Sequence, residues 1–294
     1  MPHPVHHKLD STQMPDGCVL TDATAYSVEL LADLFTRSFE GYMVPVRMTP
    51  GALSRMMRVD SVDLAASRVI LFHGEPAGFI LIDSRGKTRR VGAMGVATEL
   101  RGKGIGHHMM DHVIADARKS GFLRMRLEVI ETNDRARTLY QHLGFYDQRT
   151  LVGYERKPGR PPLAMKDTLH EVDPRDLAKV MEHEAPAKLP WQLSAMSVVG
   201  YTPPSVAYQL SDKAYALVAD VKNHTVELLV LIVPHALRRQ GWGRRMVDAL
   251  VLRHPVCTLR LPPRVPENLA PDFFHHAGFE KMKLAQKEMV LDLD

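Results

Sequence analysis

The chain carries an internal repeat, and this repeat constrains its fold more than any other feature. Two segments share one order of elements: an apolar strand, a glycine-spaced turn, an amphipathic helix, a second strand and a helix that ends in Gly-Phe. The turns are Arg101–Gly106 and Arg238–Gly243, and the last glycines are Gly144 and Gly278. From the middle glycine of the turn to that glycine is 40 residues in the first half and 37 in the second. Such matched spacing indicates a duplicated α/β unit.

The pattern around each turn predicts the same sheet arrangement in both halves. In the first half the helix lies between the strands 91–98 and 124–130, and in the second half between 226–233 and 256–261. A single crossover helix between two strands implies a parallel βαβ unit. Its apolar face in the first half is predicted to be Ile105, Met109, Met110, Val113, Ile114 and Ala117. Further strands are predicted at 68–73, 77–83, 207–210 and 214–221. We predict an α/β fold of two tandem domains, each a mixed, mostly antiparallel sheet with a parallel βαβ unit and flanking helices.

Length and composition agree with two soluble domains. The 294 residues are 45% apolar and 24% charged. We predict a flexible tail at residues 1–18, a first domain at 19–156, a Pro/Gly-rich linker at 157–166 and a second domain at 167–294.

Charge and cysteine usage exclude several classes of protein. The net charge is +4 without a long Lys/Arg block, so we expect no nucleic-acid partner. Cys18 and Cys257 form no disulfide framework, which favours a reducing cytoplasm. No segment predicts a signal peptide or a membrane span, so we expect a cytoplasmic monomer or homodimer with no membrane partner. His108 and His112 have a spacing compatible with a metal pair, but no Glu completes a zincin motif, and we expect no metal.

A glycine-spaced turn between a strand and a helix forms an anion site. The first N–H groups of a helix have no partner within it, and the helix dipole adds partial positive charge there. Gly104 and Gly106 allow phosphate oxygens to approach the backbone, and Arg101 and Lys103 add cationic donors. The turn is neither a Gly-x-Gly-x-x-Gly dinucleotide fingerprint nor a Walker loop. It predicts a pyrophosphate site, with a plain strand-to-helix connection as the alternative.

Further motifs accompany the first turn. An Arg-x-x-Gly-x-Gly pattern follows Met94-Gly95-Val96, and after it come the segment 127–133, Leu139-Tyr140 and Gly144-Phe145. Together they resemble the acetyl-CoA site of the GNAT superfamily of N-acetyltransferases. The resemblance covers residues 19–156, and residues 167–294 look similar through their own turn and Gly278-Phe279. The chain is thus similar to the tandem two-domain type of this superfamily.

The resemblance implies a co-substrate, an acceptor and a set of site residues. The co-substrate is acetyl-CoA or another short acyl-CoA, and the acceptor is a small-molecule or peptide amine. The pantetheine arm would pair with backbone groups of Met94 and Val96, Asn133 would contact the arm, and Tyr140 would protonate the departing thiolate. The pyrophosphate would bind N–H groups of Arg101, Gly102, Lys103, Gly104, Ile105 and Gly106. The matching cofactor-binding residues of the second half are Leu231, Val233, Arg238, Arg239, Gln240, Gly241, Trp242 and Gly243.

Two parts of the site stay open at this point. Glu128 and Glu40 are candidates for the general base, and each has an ordinary charged surface residue as its alternative. The segment 39–42 either lines an acceptor pocket or packs at a helix end.

The second half departs from the pattern at one decisive position. Phe274 stands where the first half has Tyr140, and phenylalanine cannot donate a proton. Asn268 matches Asn133 only loosely. The first domain is therefore predicted to be catalytic. The second binds acyl-CoA but transfers poorly, acts through another acid, or is purely structural.

The main hypothesis is an acyl-CoA-dependent N-acyltransferase in which an amine attacks acetyl-CoA directly and Tyr140 is the general acid. The alternative is a non-catalytic acyl-CoA-binding sensor or interaction module.

Overall fold

The computed structural model describes Met14, residues 16–159 and residues 167–293. The elements of the first half are β1 (Cys18–Asp22), α1 (Val28–Ser38), α2 (Pro50–Asp60), β2 (Val62–Phe72), β3 (Glu75–Arg85), β4 (Thr88–Val96), α3 (Ile105–Lys119), β5 (Arg124–Ile130), α4 (Asp134–His142) and β6 (Tyr146–Arg156). Those of the second half are β7 (Leu169–Val172), α5 (Pro174–Glu184), α6 (Ala195–Val199), β8 (Val206–Leu210), β9 (Ala214–Val218), β10 (Thr225–Ile232), α7 (Trp242–Arg253), β11 (Thr258–Pro266), α8 (Pro271–His276) and β12 (Glu280–Asp292). Short 3-10 turns lie at Ala23–Ala25, Thr98–Leu100, Trp191–Leu193 and His235–Leu237.

The predicted fold class is confirmed. β4 pairs with β5 in parallel, β10 pairs with β11 in parallel, and the remaining pairings are antiparallel. The strand predicted at 68–73 begins earlier, at Val62, because its first part pairs with the end of β3 across an irregularity at 63–68. β1 was not predicted, since five residues give too short a pattern to recognise.

The strands of the two halves join in a single twelve-stranded sheet with the order β1-β2-β3-β4-β5-β12-β6-β11-β10-β9-β8-β7. The last strand of the chain, β12, pairs with β5 of the first half along seven residues. In return, β6 of the first half pairs with β11 of the second. The two halves have therefore exchanged their final strands, and each half completes the sheet of the other.

The strand exchange bears on the predicted domain boundaries. Residues 1–13, 15 and 160–166 lie outside the described residues, and they include most of the predicted tail and linker. β6, directly before the linker, pairs with β11 and β12 of the second half, so the limits 19–156 and 167–294 stay a prediction.

Helices cover both faces of the sheet in each half. The predicted apolar face of α3 is confirmed, because all six of its residues are buried in one core with β4 and β5. A second core lies beneath α1 and α2 on the opposite face. The second half repeats this pair of cores beneath α7 and α5.

Polar contacts join the halves on the α2 side of the sheet. The Arg85 guanidinium donates to the Val59 and Trp191 carbonyls and to the hydroxyls of Ser61, Ser194 and Ser197. The Trp191 indole N–H donates to the Asp60 carbonyl at 2.8 Å, and the Arg85 guanidinium lies 4.3 Å from the centre of that ring system. Partners from both halves thus satisfy a half-buried cation at the contact between α2 and the segment 191–197.

Candidate active site

The first glycine-spaced turn has the geometry of an anion site. Gly102 and Gly104 have φ angles of +86° and +81°, the left-handed region that glycine adopts without strain. α3 begins directly after them, at Ile105. Within the described chain, the N–H groups of residues 102–106 donate to no backbone carbonyl. Several unpartnered N–H groups therefore converge at the positive end of a fifteen-residue helix.

The side chain of Arg101 does not point toward that anion site. Its guanidinium donates to the carbonyls of Val96, Ser38 and Glu40 at 3.0, 3.1 and 2.8 Å. The expectation that Arg101 adds a cationic donor for phosphate is thus corrected for the side chain, although its backbone remains in the turn. Arg101 instead ties the end of β4 and the end of α1 to the turn. The side chain of Lys103 is exposed.

An opening between β4 and β5 leads away from the turn. The two strands pair only from Thr88 to Val91, and β4 has an irregularity at the next residue, Gly92. Beyond this vertex β4 stays paired with β3. The Ala97 N–H donates to β3, so by the alternation of an antiparallel ladder the N–H groups of Met94 and Val96 face the opening. The predicted cofactor residues of β4 therefore present free donors along one edge.

Tyr140 and Asn133 lie beside this opening on α4. Tyr140 is buried, its hydroxyl has no protein partner among the described residues, and burial raises its pKa, with a further rise from the nearby Tyr42. Asn133 caps α4 by accepting a hydrogen bond from the Ala136 N–H, and its amide donates to the Tyr42 hydroxyl at 3.4 Å. Tyr140, Asn133 and Tyr42 thus form one polar group.

Phe39 and Tyr42 each fit one of the two alternatives for the segment 39–42. Phe39 stacks on Phe35 with ring centroids 4.8 Å apart, which is helix-end packing. Tyr42 reaches the polar group of Asn133 and Tyr140 instead. Glu40 is exposed, and its carbonyl rather than its carboxylate is engaged, by Arg101.

A buried charged cluster lies at the vertex where β4 and β5 separate. Arg90 on β4 donates to Glu128 on β5 at 2.7 Å and binds Asp83 on β3. Gln192, from the second half, donates to the same Glu128 oxygen at 3.2 Å. The Glu128 carboxylate is therefore held in an ion pair, and its side chain is only 5% exposed.

Three acceptor atoms of this cluster have no partner among the described residues. They are one carboxylate oxygen each of Asp83 and Glu128 and the amide oxygen of Gln192. Burial raises the pKa of Asp83 to about 7, against the opposing effect of Arg90. Buried acceptors without partners are rare in folded proteins, and they suit a site that receives a donor from a ligand.

The second turn repeats the backbone of the first. Arg239 and Gly241 have φ angles of +63° and +85°, so a non-glycine residue holds the left-handed place of Gly102. The Arg238 guanidinium donates to the carbonyls of Val233 and Glu184, which is the same clamp that Arg101 makes. Lys213 and Arg245 each place a cation over the aromatic system of Trp242, 4.5 and 4.6 Å from its centre.

The catalytic positions of the second half hold apolar groups. Phe274 is buried and stacks on Tyr154 of the exchanged strand β6, with centroids 4.3 Å apart. By strand register, Ala219 takes the place of Asp83, Leu229 that of Gly92, and Pro262 that of Glu128. Asn268 is exposed on the connection to α8 and does not line the adjacent cavity.

A cavity of about 630 Å³ opens beside the second turn. It extends along β10 from the turn to the vertex with β11. Its lining includes the predicted cofactor residues Leu231, Val233, Arg238, Arg239, Gly241, Trp242 and Gly243.

The sequence missed two residues of the first-half site, Gln192 and Asp83. Gln192 reaches the site from the second half of the chain. Asp83 carried a weak signal, as a single acid at the end of the apolar run 77–82.

Among the described residues, no group of three or more His, Cys, Asp or Glu is arranged to hold a metal ion. No helix in the described chain is long and apolar enough to cross a bilayer.

Comparison with known proteins relates the first half of the chain to one family. The model of the acetyltransferase (GNAT) family matches residues 31–145, which hold the turn, Asn133 and Tyr140. Its members transfer acyl groups from acyl-CoA. No curated protein matches the chain.

Solved structures extend the GNAT fold to both halves. A GCN5-related N-acetyltransferase from Sphaerobacter thermophilus is 13% identical with a TM-score of 0.69, covering 96% of this chain and 97% of its own. A tandem GNAT protein from the clavulanic acid biosynthesis pathway is 16% identical with a TM-score of 0.64, covering 94% and 98%. A GCN5-related N-acetyltransferase from Anabaena variabilis is 12% identical with a TM-score of 0.63, covering 94% and 73%. At these identities the likeness concerns the fold, which is that of tandem GNAT proteins.

Proposed function

We propose that the first half transfers an acetyl group, or another short acyl group, from acyl-CoA to a primary amine. One observation carries the proposal: the phosphate turn, the free strand edge, Tyr140 and the acidic vertex lie along a single opening between β4 and β5. The match of residues 31–145 to the GNAT family model supports acyl-CoA as the donor.

The backbone of this opening suits the donor substrate. The N–H groups of residues 102–106 would bind the pyrophosphate. Those of Met94 and Val96 would pair with the pantetheine arm, and the Val96 N–H would stabilise the carbonyl oxygen as negative charge develops on it. Asn133 would bind the arm after Tyr42 moves away from its amide.

Tyr140 is suited to be the general acid. In the reaction the amine nitrogen bonds to the thioester carbon, the carbon–sulfur bond breaks, and the leaving thiolate takes a proton from Tyr140. A raised pKa keeps the phenol protonated at neutral pH, so the donor form is always present.

The acidic vertex is suited to receive the proton that the amine gives up. We propose Asp83, with Glu128, as the accepting end, reached through water. A pKa of about 7 gives Asp83 both protonation states at neutral pH, as a base in this range requires. Glu128, our first candidate from sequence, is engaged by Arg90, so it is better suited to orient the cluster.

The alternative function, a non-catalytic acyl-CoA-binding module, is favoured for the second half alone. Phe274 provides no acid there, and Ala219 and Pro262 provide no base. We therefore propose one transferase site and one binding site in the chain.

Matched variants of the two turns test this division of labour. Gly104 and Gly241 both precede the first helical residue at a positive φ, and both have open space where a side chain would begin. Valine is strongly disfavoured in that conformation, so Gly104→Val and Gly241→Val distort equivalent turns equally. CoA release from acetyl-CoA would be followed with a thiol reagent across a panel of amines.

We expect Gly104→Val to lose at least tenfold in kcat/KM and Gly241→Val to keep more than half. The reverse pattern would assign transfer to the second half. No turnover by the wild-type chain with any amine would overturn the transferase proposal.

A further inference from the structure

We propose that the second-half cavity binds a CoA thioester with an apolar acyl chain of several carbons and holds it without transferring it. The proposal rests on the proposed cofactor role of the turn Arg238–Gly243. It adds the class of acyl group and the fate of the bound molecule.

Charge is distributed unevenly along this cavity. The charged lining residues are Arg238, Arg239, Arg244, Asp272 and His276. All of them lie in the turn, in the first turn of α7 or on α8. The Arg238 guanidinium is engaged by carbonyls and that of Arg244 by Asp248, so Arg239 and the free N–H cradle beside it are the groups suited to the phosphates of CoA.

The other end of the cavity is aliphatic. Its lining there is Met181, Leu189, Leu193, Leu229, Leu261 and Val265. No carboxylate of the described chain lines this end, whereas the first half has Asp83 and Glu128 at the same place in its sheet. An ammonium acceptor would lose its hydration there without gaining a partner, and an alkyl chain would lose only unfavourable contact with water.

The dimensions of the cavity fit a CoA arm that carries such a chain. Val233 beside the turn lies four residue steps along the chain from Leu229 at the vertex, a span of roughly 13 Å at the strand rise. An extended pantetheine arm running along this edge brings its thioester to the vertex. Leu189 and Leu193 then line the space that the acyl chain would enter.

The groups that we assign to transfer in the first half have no counterpart among the described residues of this vertex. Phe274 replaces the proton donor, and its stacking on Tyr154 fixes the ring in place. Without counterparts of Tyr140, Asp83 and Glu128, a bound thioester should stay intact.

Trp242 provides a local probe, because it lines this cavity while Trp191 is buried at the contact between the halves. The full chain carrying Gly104→Val would be titrated with CoA, acetyl-CoA, butyryl-CoA and hexanoyl-CoA, with tryptophan emission and calorimetry recorded in parallel. Trp191→Phe would leave Trp242 as the single tryptophan, so an emission change retained in that variant would be local to the cavity.

Affinity should rise about fourfold for each methylene that leaves water, so hexanoyl-CoA should bind at least thirtyfold more tightly than acetyl-CoA. Leu193→Asp should abolish this dependence on chain length and leave the affinity for CoA unchanged. Leu189→Asp, on the partly exposed segment before it, repeats the test if Leu193→Asp fails to fold.

The outcomes separate the two proposals. CoA binding with no dependence on chain length would overturn the acyl-chain site and leave the cofactor role of the turn standing. No binding of any CoA to the Gly104→Val chain would overturn the cofactor role itself. Transfer of the hexanoyl group to any amine by that chain would overturn the non-transferring role.

Discussion

Replacing Tyr140 with phenylalanine removes one oxygen atom and little else. The ring packs in the core of the first half with Phe145, at a centroid distance of 6.0 Å, and phenylalanine preserves that packing. The hydroxyl has no protein partner among the described residues. Removing a hydroxyl that makes no protein hydrogen bond should leave the melting temperature nearly unchanged.

Activity should respond very differently. General acid catalysis contributes about 10²–10⁴ in rate, which corresponds to roughly 3–5 kcal/mol of the activation barrier. We expect kcat of Tyr140→Phe to fall by at least a hundredfold, with KM for acetyl-CoA within about threefold of wild type. The assay is CoA release with the best amine at saturation, together with a thermal melt of each variant.

Tyr42→Phe is the matched control. Tyr42 lies in the same polar group, but it makes only one long hydrogen bond, at 3.4 Å to Asn133. Its variant should keep kcat within a few-fold of wild type. A Tyr140→Phe variant with wild-type kcat would refute the assigned role, and a large loss in Tyr42→Phe alone would transfer that role to Tyr42.

Three further predictions follow from the vertex and from the contact between the halves. Because a base acts when deprotonated, kcat/KM of the wild-type chain should rise with pH through about 7. Asp83→Asn should lower kcat/KM and flatten this rise. An unchanged pH profile of that variant would exclude Asp83 as the base. Arg85→Met should lower the free energy of unfolding by about 3–5 kcal/mol in urea titrations. Arg37→Met, which breaks an exposed ion pair, is the control and should cost less than about 1 kcal/mol. Equal effects of the two variants would contradict the structural role of Arg85. Because each of the fragments 1–159 and 160–294 lacks an interior strand of the sheet, each should unfold without a cooperative transition when expressed separately. The two fragments should copurify when coexpressed. A cooperative melt of 1–159 alone at the wild-type temperature would contradict the strand exchange.

Local patterns carried enough information to predict the duplicated fold and much of the site. The glycine-spaced turns could be recognised because a left-handed backbone before a helix strongly favours glycine, and the apolar face of α3 because burial imposes a helical period. The difference between Tyr140 and Phe274 is likewise a difference of residue type that the sequence displays directly. That this difference makes the first half the catalytic one stays a prediction.

Other parts of the site depend on residues that meet only in the folded chain. The ion pair of Arg90 with Glu128 joins adjacent strands, and Gln192 reaches the same carboxylate from the second half. The pKa of Asp83 depends on how deeply these partners bury it, which no local pattern records. The Arg101 side chain could not be placed from sequence either, because a carbonyl clamp and a phosphate ligand require the same residue at the same position.

The sequence by itself determined that the chain has two related halves, each with a cradle for an anion, and that only the first has a tyrosine in the place of the acid. Tertiary structure alone decided that β12 pairs with β5 of the first half and that β6 pairs with β11 of the second. The physical reason is that the edge of a strand offers the same N–H and C=O groups to any partner. Alternation of side chains fixes which face is buried but not which strand lies alongside, and packing of the whole molecule makes that choice.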